Sequence, residues 1–385
     1  METFEYVIIG GGMAAASAIK GIRSVDRANA IALISAEATT PYNRPALSKA
    51  LWHGATIPSI MEKNPSEQVR PLLQTTVQAI DPAGRIVSTS QGPIGYRKLL
   101  IATGAEPRRL PGGDGSTIYF QSLADYQAMR RRVDLGLGTT HIVGSGLLAA
   151  ELAVGVRAQG ADVTLHCRGS YPCDGLLPQQ LGQHLLAHLR ARGVEVQTNR
   201  TAARIDPAGS SSTIHFENGE SVRSHCTVAC IGVTPRVDVA RTGGISVRNG
   251  ILIDAHMQTS QPDIYAAGDV VEYEVARLGS WMLSNHEENA CVGGITAGQV
   301  MAGKSLAYAP VPYYYSTIGD INIEAVGSTD ARLDTRVSMD GDDGLSYYLD
   351  RDGRIVGVLF FNGKPDIEAA KEMIGTISPG LAAVG

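Results

Sequence analysis

Two glycine-rich motifs in this chain have the residue types and spacing that bind a nucleotide pyrophosphate. The first, at Gly10, Gly12 and Ala15, matches G-x-G-x-x-A and directly follows the apolar run FEYVII (4–9). Glycines at this spacing permit a tight turn, and they let a pyrophosphate approach the backbone N–H groups at the start of a helix. Such a motif alone is a weak signal, because tight turns that bind no phosphate also have it.

The second motif repeats the first at Gly144, Gly146 and Ala149, after the apolar run THIV (140–143). Two such motifs in one chain are far more specific than one. We therefore predict two dinucleotide sites, one for each motif.

Different side chains occupy the two positions where a ribose is expected. An acid about 20 residues after such a motif, where the second strand ends, usually binds a ribose hydroxyl. Glu37 fills this place in the first unit, although a solvated loop carboxylate would look the same. In the second unit the strand ends as VTLHCRGS (163–170), with His166 and Arg168 in place of a carboxylate. Either Arg168 binds the 2′-phosphate of NADP, or it faces water and the site accepts NADH without a ribose carboxylate.

The elements around these motifs predict an α/β fold with two doubly wound dinucleotide-binding units. Each motif joins an apolar strand to a helix of small residues, over 4–22 and 140–160. A second strand follows each of them, at 30–35 and at 162–166. This order of elements is the opening of a βαβ unit.

The rest of the chain predicts further helices and a strand-rich C-terminus. Within 175–196 the pattern predicts a helix that stops at Gly193 and is followed by a strand, and it predicts a hairpin within 213–222 with an Asn-Gly turn. A helix of small residues follows at 286–304. About the last 75 residues alternate between strands, and they end with a helix near 365–376 and a Gly/Ala tail. This last part is expected to form a small α+β domain.

Composition indicates a soluble globular protein in a reducing compartment. The 385 residues suggest two or three domains, and a net charge of −5 without a block of like charges argues against a nucleic-acid partner. The five cysteines are odd in number and show no CxxC spacing, which argues against a disulfide framework or a zinc site. No signal peptide and no long apolar run are present, so we expect a cytoplasmic protein without a membrane span.

Five short motifs in order give the chain a resemblance to a known superfamily. They are GGGMAAASA (10–18), PYNRPALSK (41–49), LLIATGAEPRRL (99–110), VGSGLLAAELA (143–153) and DIYAAGD (263–269). The chain resembles the FAD-dependent pyridine-nucleotide oxidoreductases, within them the ferredoxin or rubredoxin reductases and the apoptosis-inducing-factor-like flavoproteins. The C-terminal third is similar to the latter branch, where it forms an interface domain that covers the flavin.

The resemblance implies FAD and NADH or NADPH as cofactors, and it implies roles for individual residues. For FAD these are Gly10, Gly12 and Ala15 at the pyrophosphate, Glu37 at the adenosine ribose, Val77 at the adenine, Arg44 and Lys49 along the flavin, Asp269 at the ribitol chain and His286 facing the cofactor. Thr103 and Gly104 would form the crossover from the nicotinamide domain. Gly144, Gly146, Ala149, Arg168 and Gly232 would bind the nicotinamide nucleotide, which Glu151 would face.

Two positions depart from the pattern of the relatives. Gln121 stands where they often have arginine, and Tyr315 where an aromatic position is usually tryptophan. Tyr315 is flat enough to stack on the nicotinamide, but a core tyrosine would fit equally well.

Lys49 and Glu151 are the catalytic residues that the resemblance implies. A hydride would pass from the nicotinamide to flavin N5, and a fixed cation near N5 stabilises the charge of the reduced flavin. Glu151 beside Lys49 would keep the lysine charged. Without the resemblance, a lysine at the surface would be the better reading of Lys49.

The segment around Lys49 lacks the cysteine that disulfide reductases of the superfamily need against the flavin. Electrons would therefore leave the flavin directly for an external acceptor. Cys167 and Cys173 could be oxidised to each other, but two ordinary thiols are the simpler reading.

Three functions remain open for this flavoprotein. The first is a reductase that passes electrons singly to a ferredoxin- or rubredoxin-type protein, although the segment 330–344 is more acidic than basic and would not attract an acidic partner. The second is direct reduction of ferric iron, quinone or oxygen. The third is a redox-sensing NAD(P)H-binding protein. The resemblance and the strand-rich C-terminus also suggest a homodimer.

The predicted division has three domains. An FAD-binding domain would comprise 1–110 and 240–310, an NAD(P)H-binding domain 111–239, and the C-terminal interface domain 311–385.

Overall fold

The computed structural model describes residues 1–62, 68–113 and 115–377. Two short 3-10 helices cover Arg44–Leu47 and Ala50–His53. The α-helices are α1 (Met13–Arg23), α2 (Ile57–Ile60), α3 (Leu123–Asp134), α4 (Leu147–Arg157), α5 (Gln179–Ala191), α6 (Asp238–Thr242), α7 (Glu287–Met301) and α8 (Ile367–Met373). The Gly/Ala tail expected after the last helix lies outside the described residues.

The strands are mostly short, as expected for a chain with many tight turns. They are β1 (Glu2–Ile9), β2 (Ile31–Ile34), β3 (Val69–Leu72), β4 (Val77–Asp81), β5 (Ile86–Thr89), β6 (Gly92–Ile101), β7 (Ala105–Pro107), β8 (Thr117–Tyr119), β9 (Thr140–Val143), β10 (Val163–His166), β11 (Glu195–Gln197), β12 (Ala202–Ala208), β13 (Ser211–Phe216), β14 (Ser221–Ser224), β15 (Cys226–Ala229), β16 (Val233–Pro235), β17 (Ile251–Leu252), β18 (Ile264–Ala266), β19 (Val271–Val275), β20 (Ser280–Leu283), β21 (Tyr313–Ile318), β22 (Ile321–Gly327), β23 (Asp334–Asp340), β24 (Asp343–Leu349) and β25 (Ile355–Phe361).

The chain divides into two compact units. The first comprises 1–43, 57–106 and 234–312, and the second comprises 44–56, 107–233 and 313–385. The division into three domains, at the boundaries given above, stays a prediction, since the C-terminal segment and the predicted NAD(P)H-binding domain fall largely within one unit.

A doubly wound parallel sheet forms the first unit. Strands β3, β2, β1 and β6 are neighbours in this order, and β18 pairs with β6 on the side away from β1. Strand β6 is long enough to pair with β1 and β18 and also to form an antiparallel hairpin with β5, which β4 extends. The strands β1, β2 and β6 carry Val, Ile and Leu on both faces, as a sheet covered on both sides requires.

Small residues allow helices α1 and α7 of the first unit to pack backbone against backbone. A Cβ atom at Gly294 would lie 2.4 Å from the carbonyl oxygen of Ala14, and one at Gly298 would lie 2.2 Å from that of Ala18. Only glycine fits at these two positions, because any side chain would clash with backbone that cannot rotate away. This contact fixes the helix that begins at the first glycine motif.

The second unit contains another parallel sheet and two antiparallel sheets. Strands β11, β10, β9, β15 and β8 are all parallel neighbours in this order, and α4 follows β9 as α1 follows β1. Near it, β12, β13 and β14 form a small antiparallel sheet that includes the predicted hairpin. The strands β21, β22, β25, β24 and β23 form a five-stranded antiparallel sheet with α8. Two doubly wound sheets and a C-terminal α+β part are the predicted fold class.

Candidate active site

The first glycine motif lies at the turn between β1 and α1. Gly10 has φ of +123°, and a Cβ atom there would lie 2.0 Å from the carbonyl oxygen of Ala102, so this position requires glycine. Gly12 is the N-cap residue of α1 and offers no side chain to its free N–H groups. Ala15 is fully buried and allows α1 to pack closely on the sheet. These first-turn N–H groups are therefore available to an anion.

The other predicted FAD residues of the first unit lie at loops and element ends. Glu37 follows β2, and its carboxylate accepts a hydrogen bond of 2.7 Å from the hydroxyl of Tyr42. The hydroxyl of Thr103 donates to the carbonyl of Arg236 at 2.8 Å, and Gly104 next to it has φ of +65°. Of the other three predicted residues, Val77 begins β4, Asp269 follows β18 closely and is half-buried, and His286 is the N-cap residue of α7.

The second glycine motif repeats this geometry between β9 and α4. Gly144 has φ of +156°, and a Cβ atom there would lie 2.4 Å from the carbonyl oxygen of Cys230. Gly146 is the N-cap residue of α4, again without a side-chain cap, and a Cβ atom there would meet nothing within 4 Å. Ala149 is fully buried, like Ala15. Open space therefore lies in front of another uncapped helix start.

A cleft of about 470 Å³ opens at this helix start, within the second unit. It contains Gly144, Gly146, Arg168 and Gly232 of the predicted nucleotide residues. Its lining also includes Arg108, Ser145, His166, Cys173, Asp174, Arg200, Thr201 and Cys230. A pocket of this size at the carboxyl ends of parallel strands is where doubly wound sheets bind nucleotides.

His166 and Arg168 take up different environments at the end of β10. Arg168 is exposed, and its backbone N–H donates to the hydroxyl of Ser145 in the glycine turn at 2.9 Å. His166 is buried, with its Nε2 atom 3.0 Å from Nδ1 of His141 and its ring stacked on that of His141. Burial lowers the pKa of His166 to about 3, and it also lowers the pKa of His141. Both imidazoles therefore stay neutral near pH 7.

The neutral His166 makes the stability of the protein depend on pH. In the unfolded chain the pKa of His166 is about 6.5, so His166 binds a proton below that pH. In the folded protein His166 stays unprotonated down to about pH 3. Stability therefore falls as the pH drops from about 6.5, and His166 alone lowers the free energy of unfolding by about 2 kcal/mol at pH 5.

Urea unfolding at pH 7, 6 and 5 should show a smaller loss of stability for His166→Leu than for the wild type. The exposed His53 provides the control His53→Leu, and equal pH dependence of all three proteins would contradict the expectation.

A buried carboxylate with three donors lies elsewhere in the second unit. Glu151 on α4 is 6% exposed, and it pairs with the ammonium of Lys49, which is 25% exposed, at 2.7 Å. The hydroxyl of Ser48 donates to Glu151 at 2.6 Å and that of Ser316 at 2.5 Å. The ion pair expected between Lys49 and Glu151 therefore forms, and both carboxylate oxygens are satisfied.

Packing against α4 positions the segment that carries Lys49. Lys49 lies between the two 3-10 helices, and Trp52 on the second of them is buried against Gly155 of α4. A Cβ atom at Gly155 would lie 3.2 Å from Trp52, so glycine gives the indole its room. The Trp52 indole N–H donates to the carbonyl of Leu47 at 2.9 Å and closes the turn.

The two residues that depart from the pattern of the relatives both adjoin this segment. The guanidinium of Arg44 donates to the backbone carbonyl of Gln121 at 3.0 Å, a contact that the Gln121 side chain does not determine. Tyr315 on β21 is 42% exposed, so it is not a core tyrosine. The ammonium of Lys49 lies 5.9 Å from the centroid of its ring. An exposed ring beside a cation remains available for stacking.

Sequence reasoning missed several of these residues. Ser48 stands next to Lys49 and Ser316 next to Tyr315, but nothing in their spacing links residues so far apart in the chain to Glu151. Arg108 and Arg200 line the nucleotide cleft. A position near the cleft could have been predicted for Arg200 alone. It closely follows β11, and the carboxyl ends of the parallel strands in this sheet face the cleft.

The cysteines make no disulfide. All five are free thiols; Cys167, Cys173 and Cys226 are buried, and Cys230 and Cys291 are half-buried. Burial raises the pKa of Cys167 to about 12. Cys230 follows β15 and lines the cleft.

Residues 1–62, 68–113 and 115–377 contain neither a potential metal site nor a helix that could span a membrane. Within these ranges, His, Cys, Asp and Glu side chains form no cluster of three or more that could hold a metal ion. None of the helices there has the length and apolar character that crossing a membrane requires.

A model of the pyridine nucleotide-disulphide oxidoreductase family matches residues 4–288. The chain belongs to this family. It is therefore an oxidoreductase that uses FAD and a nicotinamide nucleotide, as the resemblance implied. Although the family is named for disulphide chemistry, the stretch 41–49 of this member contains no cysteine.

Curated relatives and solved structures agree with this assignment. The nitric oxide reductase FlRd-NAD(+) reductase of Aeromonas salmonicida is 35% identical over 277 residues, 70% of this chain and 71% of that protein. The ferredoxin–NAD(+) reductase component of the biphenyl dioxygenase system of Paraburkholderia xenovorans is 30% identical over 379 residues, 96% of this chain and 92% of that protein. A crystal structure of the covalent putidaredoxin reductase–putidaredoxin complex matches with a TM-score of 0.88 at 24% identity, over 97% of this chain and 93% of that one, which shows the same fold.

The residues of this family member fit both nucleotides. Each unit has a helix of eleven residues that begins at an uncapped glycine after a parallel strand. In the second unit that helix start opens into the cleft, where a Cβ atom at Gly146 would find empty space. In the first unit, Glu37 lies where a ribose acid is needed, and its carboxylate accepts a hydrogen bond from Tyr42.

Proposed function

We propose that this flavoprotein takes a hydride from a nicotinamide nucleotide in the second unit and passes the electrons from FAD to a ferredoxin-type iron–sulfur protein. The observation that carries the proposal is the occurrence of two uncapped glycine helix starts, one in each unit, in a chain whose segment 41–49 has a lysine and no thiol. Bound FAD would accept two electrons together and release them singly. Without a thiol in that segment, the next acceptor must come from outside the chain.

In this proposal the first unit holds FAD through its backbone and a few polar groups. The N–H groups at the start of α1 would bind the pyrophosphate, to which Gly10 and Gly12 give close access. Glu37 would accept a hydrogen bond from the adenosine ribose. The remaining roles that the resemblance implies for this unit, namely those of Val77, Thr103, Gly104, Asp269 and His286, stay proposals of the same kind.

The second unit would hold the nicotinamide nucleotide in its cleft. The start of α4, at Gly144 and Gly146, would bind the pyrophosphate, and Gly232 lines the same cleft. Glu151 holds the Lys49 ammonium in place, and Lys49 would stabilise the negative charge of reduced flavin. As the resemblance implies, Arg44 would lie along the flavin, and Tyr315 would stack on the nicotinamide.

The relatives support the choice of acceptor. The two relatives described above are an FlRd-NAD(+) reductase and a ferredoxin–NAD(+) reductase. The five cysteines are all free, and a reducing compartment suits both these thiols and such partners, so we also propose a cytoplasmic location.

A second candidate function is the direct reduction of a small acceptor such as ferric iron, quinone or oxygen. The tip of the β23–β24 hairpin favours it, because Asp340, Asp342 and Asp343 are exposed there and would repel an acidic protein. Only His184 pairs with one of them, at 3.5 Å from Asp342, among the ion pairs of the described residues.

Rapid mixing tests the proposed function. The FAD-loaded protein is mixed without oxygen with NADH or NADPH, and the flavin absorbance is followed. The reduced protein is then mixed with a ferredoxin, with ferricyanide or with air. Fast reduction followed by fast oxidation by ferredoxin is the expected result. Fast oxidation by ferricyanide or air alone would favour the second candidate, and slow oxidation by all three, with a persisting long-wavelength band, would indicate a redox sensor instead.

A further inference from the structure

The segment at the end of strand β10 contains no carboxylate that could bind the ribose hydroxyls of a nucleotide. The residue after the strand is Cys167, which is fully buried and directs its thiol to the carbonyl of Gly144 at 3.7 Å. Residues 163–170 contain no Asp or Glu. A carboxylate at this place binds the 2′-hydroxyl of NADH and repels a 2′-phosphate, so its absence removes the usual barrier to NADPH.

Arg168 supplies a cation at the same place. Its backbone is held to the glycine turn by the hydrogen bond to Ser145, while its side chain is exposed and lines the cleft. Its guanidinium makes no ion pair with any residue in the described ranges. An unpaired guanidinium presents a planar set of donors that matches a phosphate monoester.

Arg200 is a second arginine that lines the cleft. Its backbone N–H donates to the carbonyl of Cys167 at 2.8 Å, which fixes Arg200 at the end of β10. Its side chain lies over the ring of Phe216, at 5.0 Å from the centroid, and pairs with Glu220. Arg200 also lines the cleft, whereas Glu220 does not. Two arginines therefore flank the position where a ribose acid is expected.

One carboxylate on the cleft acts against this charge. Asp174 lies over Gly169, where a Cβ atom would be 1.8 Å from its Oδ2 atom, and it lines the same cleft. It is the only acid among the lining residues, which also include Arg108, Arg168 and Arg200. The described lining therefore carries a net positive charge. Asp174 is the residue that would favour NADH, by accepting hydrogen bonds from the ribose hydroxyls.

We infer that the cleft of the second unit recognises the 2′-phosphate of NADPH through Arg168, with Arg200 beside it, and that the enzyme prefers NADPH to NADH. This inference rests on the proposed function, because it assumes that a nicotinamide nucleotide binds in this cleft. It assigns Arg168 as the residue that determines the choice of nucleotide.

Calorimetric binding to the FAD-loaded protein tests the inference apart from catalysis. The two probes are 2′,5′-ADP and 5′-AMP, which differ in the 2′-phosphate alone. We expect 2′,5′-ADP to bind at least about tenfold more tightly, and Arg168→Ala to remove about a factor of ten from that ratio while the affinity for 5′-AMP stays the same. Arg204→Ala is the matched control, since exposed Arg204 pairs with Asp206 and does not line the cleft. It should leave the ratio unchanged.

Three results of the binding measurements would overturn the inference. The first is equal or weaker binding of 2′,5′-ADP, and the second is an equal loss for both probes in Arg168→Ala. The third is a large loss of 5′-AMP affinity in Asp174→Asn, which would make Asp174 the ribose acceptor of an NADH site. Flavin reduction separates these results from failure of the proposed function. Faster reduction by NADH than by NADPH would contradict the inference alone, whereas reduction by neither nucleotide would contradict the function.

Discussion

Flavin reduction in Lys49→Met is expected to be about 100-fold slower than in the wild type, with FAD still bound. Methionine keeps the length and apolar stem of lysine but removes the positive charge. According to the resemblance, that charge stabilises the negatively charged reduced flavin. Glu151 holds the Lys49 ammonium in one place, at 2.7 Å. Replacing Lys49 therefore removes a preorganised charge and not a mobile one. Anaerobic stopped-flow absorbance, at saturating NADPH and NADH in turn, measures the rate.

Lys371→Met is the matched control for this experiment. Lys371 also forms an ion pair, at 3.0 Å with Glu368, but that pair lies on helix α8 with Glu368 exposed. Its removal should leave the rate unchanged. A wild-type rate and flavin spectrum in Lys49→Met would remove Lys49 from the catalytic residues.

Glu151→Met is expected to lower the free energy of unfolding by about 3 kcal/mol. The substitution leaves the Lys49 ammonium without its partner, and it leaves the hydroxyls of Ser48 and Ser316 without the carboxylate that accepts their hydrogen bonds. Such groups are costly because their desolvation is no longer offset. Urea unfolding followed by circular dichroism, in excess FAD, measures the change.

The double variant Lys49→Met/Glu151→Met sharpens this expectation. Replacing both members of a buried ion pair by apolar side chains of similar volume often restores stability, so the double variant should be more stable than Glu151→Met alone. In the exposed pair on α8, Glu368→Met should change stability by less than about 1 kcal/mol. If the losses of the two single variants simply add, then Lys49 and Glu151 do not act as a pair, and this explanation of the buried carboxylate fails.

The architecture could largely be predicted from local patterns in the sequence. Each glycine motif follows an apolar strand and begins a helix of small residues, and β1–α1 and β9–α4 form as expected because these signals are contained within about 20 residues. Helix α5 begins at Gln179 and not at 175, since Pro178 takes the N-cap position. Helix α8 is likewise shorter than the predicted range, ending at Met373.

The composition of the candidate site could be predicted only where a motif contained it. Lys49 and Glu151 came from the resemblance, and they do pair. The contacts of Ser316 with Glu151 and of Arg200 with Cys167 depend on how distant segments pack, which no local periodicity encodes. Arg168 was visible in the sequence, but the lack of an ion-pair partner for it among the described residues became apparent only in the folded chain, as did the nearby carboxylate of Asp174.

A reductive titration tests the central claim most directly, namely that electrons pass through one flavin and no disulfide on the way to an external acceptor. The purified FAD-loaded protein is titrated without oxygen with the better of NADPH and NADH, and the flavin absorbance is recorded at equilibrium. The free cysteines and the thiol-free segment 41–49 predict complete bleaching at one equivalent of nucleotide for each FAD. Bleaching that needs two equivalents would reveal a second two-electron group and contradict this account, as would a protein that holds no FAD or whose flavin neither nucleotide reduces.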